Sequence, residues 1–411
     1  MTTLATSPDI RPSLATAGSA AELAAPLAPG NGAWTRALWT IWAACLVLGA
    51  IGIYQRIAYG HMPAGYGSYV PWGLWIAIYF HGVGIAGGAF ALASLGHILG
   101  WTGFRHPAAL RAAILLAFAT MLPALLAVWV DLGHMERAAN ILTSPSFTSM
   151  MAFNAWMYNA FLAVAAVCWW LSYRDASGWL RPLLGLGILL ALMIPSQSGA
   201  FFGVVDAKPY WHSPVLPLMF LASAITAGAA MLLLIRGVIG LDGPGGHGDD
   251  GPAALTAALA RLRLLTLGGL AVYLLLEFAE FSIGMWNTES HAPALDLVLF
   301  GPYWWVFWVV HLGLGGILPL ALLVSRRPRL WIVAGLLVAV TFLAARLNVL
   351  VPGQAVSEIR GLQDAFFHPR LTYTYHATAM EYLVGLFLVA VGMSVYFLGR
   401  RISRWFAART V

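Results

Sequence analysis

The feature that most constrains this chain is a series of ten apolar stretches, each long enough to cross a lipid bilayer. A membrane-spanning helix needs about 20 consecutive apolar residues, so each stretch predicts one span. Helices are predicted because backbone groups in lipid must be hydrogen-bonded internally, and because the stretches lack the alternation of barrel strands. The composition agrees, since 60% of the residues are hydrophobic and only 9% are charged. The predicted spans are approximately residues 38–57, 72–99, 110–130, 150–172, 182–201, 213–236, 263–285, 301–325, 330–348 and 376–399.

The distribution of basic residues predicts how these spans are oriented. Of the 22 Lys and Arg residues, 16 fall in the two tails and the even-numbered connections, and six fall on the other side. Cytoplasmic segments carry the excess of Lys and Arg, so both termini are predicted to be cytoplasmic in a bacterial inner membrane. The fold class is therefore an all-α integral membrane protein of about ten transmembrane helices, expected to form two four-helix bundles plus flanking helices. The net charge of +6 reflects this topology, so no nucleic-acid partner is predicted.

Composition also predicts where the chain divides. Residues 1–33 are rich in Ala, Pro, Ser and Gly and lack the features of a signal peptide, which predicts a disordered cytoplasmic tail. Residues 34–400 form the predicted polytopic membrane domain, and residues 401–411 form a basic cytoplasmic tail. A polar, glycine-rich run within residues 241–259 predicts a flexible linker between two halves. The two halves are approximately residues 34–240 and 260–400.

Charged residues at the end of the third span mark the first candidate site. Asp131 closes this span, and an acid at the edge of the membrane indicates function because its burial is costly. His134 lies three residues further on and would share a face with Asp131 if the helix continued. The alternative is a solvated helix end with an ordinary salt bridge.

The fifth span carries a second unusual segment. Pro195 and Gly199 are expected to break the helix near its outer end. The exposed backbone, together with Gln197 and an aromatic cluster that ends at His212, would form a wall for a flat, lipophilic ligand. The alternative is a re-entrant turn that stabilises the fold.

Acids recur in the outer half of the later spans. Glu277 and Glu280 lie three residues apart on one face of the seventh span, and Glu381 lies near the start of the last span. Their position makes them candidates for a proton relay. The alternative is pairing with Arg346 or His311 for packing alone.

Two histidines, His81 and His311, are predicted to lie near the bilayer midplane. A pair at equal depth can bind haem b through its axial positions. Isolated histidines within spans are more often hydrogen-bonded core residues, so no haem is expected in this chain, and haem b is kept as an alternative. No metal site is predicted.

Five short motifs along the chain carry a family resemblance. They are Trp72-Gly73-Leu74-Trp75 with Gly87-Gly88, Val130-Asp131-Leu132-Gly133, Ser149-Met150-Met151-Ala152-Phe153-Asn154, Gln197-Ser198-Gly199 through Trp211-His212, and the segment from Tyr375 to Glu381. Together they resemble the NrfD/PsrC superfamily, the membrane subunits of polysulfide reductases and related respiratory oxidoreductases. The resemblance extends over about residues 38–400, and the ten-span pattern is most similar to the HybB/DsrP-like branch.

The resemblance implies a quinone- or quinol-binding subunit without a redox centre of its own. It also implies a periplasmic ferredoxin-like iron–sulfur subunit as partner, together with a catalytic redox subunit. Asp131 matches the acidic position that lines the quinone pocket in the family, and Tyr79 falls where polysulfide reductase relatives have a histidine. This departure leaves Tyr79, His81, His134 and Gln197 as alternative donors to a quinone carbonyl. The quinone would be ubiquinone or menaquinone.

Quinone chemistry moves two electrons and two protons, so it needs an apolar slot, polar contacts and an acid that accepts a proton. The chain is therefore expected to exchange electrons between the quinone pool and the iron–sulfur subunit, with relay acids that would couple turnover to proton translocation. The alternatives are a secondary transporter, whose signature also includes intramembrane acids, and a membrane anchor that binds haem b. The catalytic candidates are Asp131 and His134, the quinone-binding candidates are Tyr79, His81, Asp131, His134, Gln197 and His212, and the relay candidates are Glu277, Glu280, His311 and Glu381.

Overall fold

The computed structural model describes residues 32–174, 178–238, 251–286, 291–359, 361–368 and 370–407. Within these ranges, ten helices are long and apolar enough to cross a membrane, and no strand occurs. The predicted all-α membrane class is therefore confirmed. The helices are α1 (Gly32–Tyr59), α2 (Leu74–Ile98), α3 (Pro107–Asp131), α4 (Met150–Leu171), α5 (Leu180–Gly203), α6 (Leu216–Val238), α7 (Gly251–Trp286), α8 (Val306–Val324), α9 (Pro328–Ala355) and α10 (Ala379–Ala407).

Local sequence explains where two of the helices around the site begin. The His106 side chain accepts a hydrogen bond from the Ala108 backbone N–H at the start of α3, where Pro107 occupies the first turn. The Ser149 hydroxyl accepts one from the Ala152 backbone N–H at the start of α4. Such caps satisfy N–H groups that have no partner within the helix, and a proline in the first turn removes no helical hydrogen bond.

The helices form two four-helix bundles with two flanking helices, as predicted. In the first bundle, α2, α3, α4 and α5 each pack against the next, and α5 packs back on α2. In the second bundle, α6, α7, α8 and α9 do the same. Helix α2 joins the bundles through α6 and α9, while α1 packs on α10, and α10 packs on α3. The chain therefore passes from the first bundle to the second between α5 and α6. The predicted halves instead divide at the 241–259 linker.

The boundaries of the predicted tails and linker differ partly from the helices. Residues 251–259 of the predicted linker belong to α7, and residues 401–407 of the predicted C-terminal tail belong to α10. The N-terminal tail through residue 31, the linker residues 241–250 and residues 408–411 lie outside the described residues.

The predicted break in the fifth span is wrong, because α5 continues through Pro195 to Gly203. Pro195 leaves the carbonyl of Ala191 without its helical N–H partner. That carbonyl lies against Gly87 of α2, so close that a Cβ at Gly87 would be 2.5 Å from its oxygen. Gly87 thus lets α2 pack closely against the turn of α5 that contains the proline.

The segments that connect α1 to α2, α3 to α4, α5 to α6 and α9 to α10 lie at one end of the molecule. The backbone N–H of Gly65 donates to Glu381, and that of Trp72 donates to the Gln354 side chain. The Lys208 ammonium donates to a carbonyl just after α9. We call this end the Asp131 end, and it is the end that the basic residues predict to face outward.

Candidate functional site

A cavity of about 370 Å³ lies in the first bundle at the Asp131 end. It is bounded by the start of α2, the last turns of α3, the start of α4 and the end of α5. Its volume falls in the range of small-molecule pockets, about 300–1,000 Å³. Most of its wall is aromatic or aliphatic and includes Trp72, Ile76, Phe80, Trp129, Met151 and Phe201.

Four polar side chains interrupt this apolar wall: Tyr79, Asp131, Asn154 and Tyr158. The hydroxyls of Tyr79 and Tyr158 are hydrogen-bonded to each other, and the Tyr158 hydroxyl also lies 3.3 Å from the Ser198 Oγ. Three helices contribute these groups, so the polar part of the wall exists only in the assembled bundle.

Two oxygens of this polar wall are buried without a protein partner. Asp131 Oδ1 and Asn154 Oδ1 have no hydrogen-bond partner among the residues that the structure describes. Buried polar atoms are normally paired, because an unpaired one loses its hydration without compensation. Both oxygens belong to residues that line the same cavity, so the site combines an apolar wall with two hydrogen-bond acceptors that lack a protein donor.

Of the predicted site residues, Asp131 and Tyr79 line the cavity. His134 does not, because α3 ends at Asp131 and the backbone is extended at Leu132. Asp131 and His134 therefore do not share a helix face, because the helix does not continue to His134. The His134 side chain is 65% exposed, and its Nδ1 lies 2.9 Å from Glu136 Oε1.

The other three candidates for quinone binding lie outside the cavity wall. Gln197 Nε2 donates to Met150 Sδ at 3.3 Å. His81 Nε2 lies 2.7 Å from the Ala339 carbonyl oxygen, on the side of α2 that faces the second bundle. His212 is on the surface with its side chain 55% exposed. Among the described residues, no group of three or more His, Cys, Asp or Glu side chains is placed to hold a metal ion.

A second polar cluster lies within the second bundle. The Tyr273 hydroxyl donates to Glu277 Oε1 at 2.9 Å, and His311 Nε2 lies 2.9 Å from Glu277 Oε2. His311 belongs to a π-helical stretch that forms the first part of α8. Glu280 instead accepts a hydrogen bond of 2.9 Å from the Ser213 hydroxyl. Glu277 is thus paired with His311, one of the two partners considered in the sequence analysis. Glu280 is bonded to Ser213 instead, so the two acids have separate partners.

Glu381 is fully buried at the start of α10 and fixes the start of α2 through Tyr375. Its carboxylate accepts hydrogen bonds from the Gly65 backbone N–H, at 2.7 Å, and from the Tyr375 hydroxyl. The Tyr375 oxygen in turn accepts the backbone N–H of Leu74, the first residue of α2, at 2.7 Å. Glu381 also interacts electrostatically with the carboxyl of Asp131.

Sequence reasoning did not assign Asn154 and Tyr158 to the site. Asn154 closes one of the five motifs, and Tyr158 follows it by four residues. Together with Met151, they recur at the spacing of one helix face. That spacing was the available signal, and the cavity wall identifies which face of α4 it marks.

The fold and the cavity define a multi-pass membrane protein with a small-molecule pocket at one end of its first bundle. The sequence profile of the family described as "Polysulphide reductase, NrfD" matches residues 64–358. This match covers more than half of the chain, so the chain belongs to the NrfD polysulphide reductase family, which confirms the resemblance. The closer likeness to the HybB/DsrP-like branch stays a prediction.

Relatives from bacteria and archaea match along most of the chain. A selenate reductase subunit of Mesobacillus selenatarsenatis is 28% identical, over 87% of this chain and 92% of that protein. The Hdr-like menaquinol oxidoreductase integral membrane subunit of Archaeoglobus fulgidus is 23% identical, over 88% of this chain and 92% of that protein. The protein NrfD of Escherichia coli is 24% identical, over 61% of this chain and 83% of that protein.

Proposed function

We propose that this chain is the quinone-reactive membrane subunit of a respiratory oxidoreductase complex. It exchanges electrons between the membrane quinone pool and an iron–sulfur subunit that docks at the Asp131 end. The observation that carries the proposal is the cavity in the first bundle, in which Asp131 and Asn154 each present a buried oxygen without a protein partner. The names of the relatives, which are subunits of reductases and of a menaquinol oxidoreductase, favour this function over a secondary transporter.

The cavity matches the chemistry of a quinol better than that of a purely apolar lipid. A quinol has a flat ring with a hydroxyl at each end, and the two unpaired oxygens are hydrogen-bond acceptors. Aromatic residues such as Trp72 and Phe80 supply the apolar surface for the ring. Rotation of the Asn154 carboxamide, or the Tyr79 hydroxyl, supplies a donor to a quinone oxygen. One relative is named for menaquinol, so menaquinone is the first quinone to test.

In this proposal Asp131 is the proton acceptor of the site. A bound quinol supplies two electrons and two protons. The Asp131 carboxylate, which lines the cavity, takes one proton from the nearer hydroxyl, passes it to water at the Asp131 end and then takes the second proton. Asn154 and Tyr79 hold the ring in place, and the electrons pass to the iron–sulfur subunit and from there to a catalytic subunit. In the direction of quinone reduction, Asp131 donates the proton instead.

The orientation of the chain follows from the predicted topology, and the roles of the other candidate residues follow from the cavity wall. The Asp131 end faces the periplasm of a bacterial inner membrane, and both termini are cytoplasmic. His81, His134, Gln197 and His212 have no direct role, because each lies outside the cavity wall.

A binding experiment with a filled cavity tests the proposal. Ala155 lines the cavity, whereas Ala166 lies on the exposed side of the same helix. Ala155→Trp places an indole in the space proposed for the ring, so we expect the affinity of the full chain in nanodiscs for a menaquinol analogue to fall at least about tenfold, the effect of roughly 1.4 kcal/mol. Ala166→Trp is the matched control and should bind as the wild type does. Equal binding by both variants would refute the location of the site.

A second proposal concerns the buried cluster of Tyr273, Glu277 and His311. These three residues form a continuous hydrogen-bonded chain in the interior of the second bundle. Ionisable groups in that position are rare in membrane helices and are typical of proton pathways. We therefore assign the cluster, with Glu280, to proton movement coupled to quinone turnover.

A further inference from the structure

Arg56 is a buried cation on α1, whose apolar window is the least buried of the ten membrane-spanning helices in the described residues. Only 11% of the most apolar window of α1 is buried inside the protein, yet Arg56, near the end of α1, is 5% exposed. A guanidinium is always charged and offers only donors, so its burial requires acceptors close by. The role of Arg56 therefore depends on which acceptors surround its guanidinium.

Two of these acceptors are the backbone carbonyls on either side of Asp131. Arg56 Nε donates to the Val130 carbonyl oxygen at 2.8 Å, and Nη2 donates to the Leu132 carbonyl oxygen at 2.9 Å. The last carbonyls of a helix have no partner within it, and a basic side chain can cap them. Arg56 thus fixes the backbone of α3 at the residue that lines the cavity.

We infer that Arg56 is the positioning residue of the cavity. It holds the Asp131 carboxyl against the bound ring and keeps a fixed positive charge beside it, so that Asp131 accepts a proton from a quinol-type hydroxyl. This inference rests on the proposed function, and it assigns a role to α1, which contributes no residue to the cavity wall.

A directed chain of donors extends from Arg56 toward the acids. Arg56 Nη2 lies 2.8 Å from His61 Nε2, which must accept because a guanidinium only donates. The proton of neutral His61 is then on Nδ1, which donates to the Tyr66 hydroxyl oxygen at 2.6 Å. Burial, and next the charge of Arg56, lower the pKa of His61 and keep the ring neutral. The Tyr66 hydroxyl, at the end of this chain, interacts electrostatically with Asp131 and Glu381.

Charged and titratable groups from several elements surround Asp131, and Arg56 is the cation that binds its own stretch of backbone. Because Arg56 is hydrogen-bonded to the carbonyls on either side of Asp131, it places a fixed positive charge beside that residue. The groups that face this region are Arg56 from α1, His61 and Tyr66 from the next segment, Tyr79 from α2, Tyr158 from α4, Arg370 from the segment before α10, and Glu381 from α10.

The test compares Arg56→Gln, Arg56→Lys and Arg137→Gln in the complex purified through a tag on the full chain. Menadiol oxidation with an artificial electron acceptor is followed as a function of pH, and menadiol binding is measured on the same samples. Loss of a nearby opposite charge raises the pKa of an acid, by about 1–3 units where the charge lies within about 4–6 Å. We therefore expect the acid limb of the kcat/KM profile of Arg56→Gln to move up by at least about one pH unit.

Arg56→Lys should move the limb less, because Lys keeps the charge but cannot reach both carbonyls as a fork. Arg137→Gln removes the same charge from a side chain that is 66% exposed, and its profile should match that of the wild type. An unmoved acid limb in Arg56→Gln, with activity reduced equally at every pH, would show a merely structural role and overturn the inference.

Two further outcomes keep the test decisive. If Arg56→Gln does not assemble, Arg56→Lys decides: an acid limb that moves to higher pH supports the inference, and an unmoved limb overturns it. If the wild-type complex neither binds nor oxidises menadiol, the proposed function fails and the inference fails with it. An active wild type with unmoved Arg56 profiles contradicts only the role of Arg56.

Discussion

Replacing Asp131 by Asn removes the proposed proton acceptor and keeps the shape of the cavity. Asp131 Oδ1 has no hydrogen-bond partner within the described chain, and Arg56 binds the neighbouring carbonyls rather than the side chain, so folding should be preserved. General acid–base catalysis contributes about 10²–10⁴-fold, so we expect turnover to fall by this factor. That loss corresponds to about 2.7–5.4 kcal/mol in the activation barrier.

The assay is menadiol oxidation by the purified complex at saturating substrate, with menadiol binding measured on the same preparation. Affinity should change little, because Asn retains a carbonyl oxygen where the quinol hydroxyl binds. Asp206→Asn is the matched control, since Asp206 also lies at the Asp131 end but its side chain is 92% exposed. Wild-type turnover in Asp131→Asn, with intact binding, would refute the assignment of the proton acceptor.

Three other predictions address the proton path, the packing and the pH dependence. Glu280→Gln should lower the proton-to-electron ratio of proteoliposomes without changing quinol affinity, and an unchanged ratio would remove Glu280 from the path. Gly88→Ala should lower the free energy of unfolding by about 1–3 kcal/mol, because a Cβ there would meet the backbone of α6. Gly185 faces open space, so Gly185→Ala should be nearly neutral. Equal thermal stabilities of the two variants would contradict the close packing of α2 on α6. Burial and Arg56 hold the pKa of His61 below its ordinary value of 6.5, so its contribution to stability is present above pH 6.5 and is lost as the pH falls through its folded-state pKa. The melting temperature should therefore drop more steeply with acid in the wild type than in His61→Gln, and parallel curves would count against this role.

The number and type of the helices could be predicted because lipid imposes a simple rule. A backbone that crosses the membrane must satisfy its own hydrogen bonds, so an apolar run of sufficient length becomes a helix. The prediction of a helix break at Pro195 is wrong, because the effect of a proline within a span depends on how a neighbouring helix packs against it. Gly87 lets α2 approach the carbonyl that the proline leaves unpaired, and no local pattern around Pro195 contains that information.

The site was predicted only in part, for a related reason. Asp131 stood out as an acid at the end of a predicted span and within a family motif, whereas Tyr79 was named only through the family resemblance. His134 was grouped with Asp131 by spacing, but the helix ends between them. Asn154 was marked only by its helix-face spacing with Met151 and Tyr158, which does not say what that face contacts. Arg56 belongs to the site through a contact between helices that are distant in sequence, and no local spacing encodes that contact.

The central claim is that quinone binds in the cavity of the first bundle, and photolabelling tests it most directly. The full chain in nanodiscs is irradiated with a ring-labelled azidoquinone, with and without excess menaquinone, and the labelled peptides are identified by mass spectrometry. The account predicts labelling that menaquinone suppresses in residues 72–80, 125–132 and 151–158, which bound the cavity. Suppressible labelling confined to the second bundle or to α1 would contradict it.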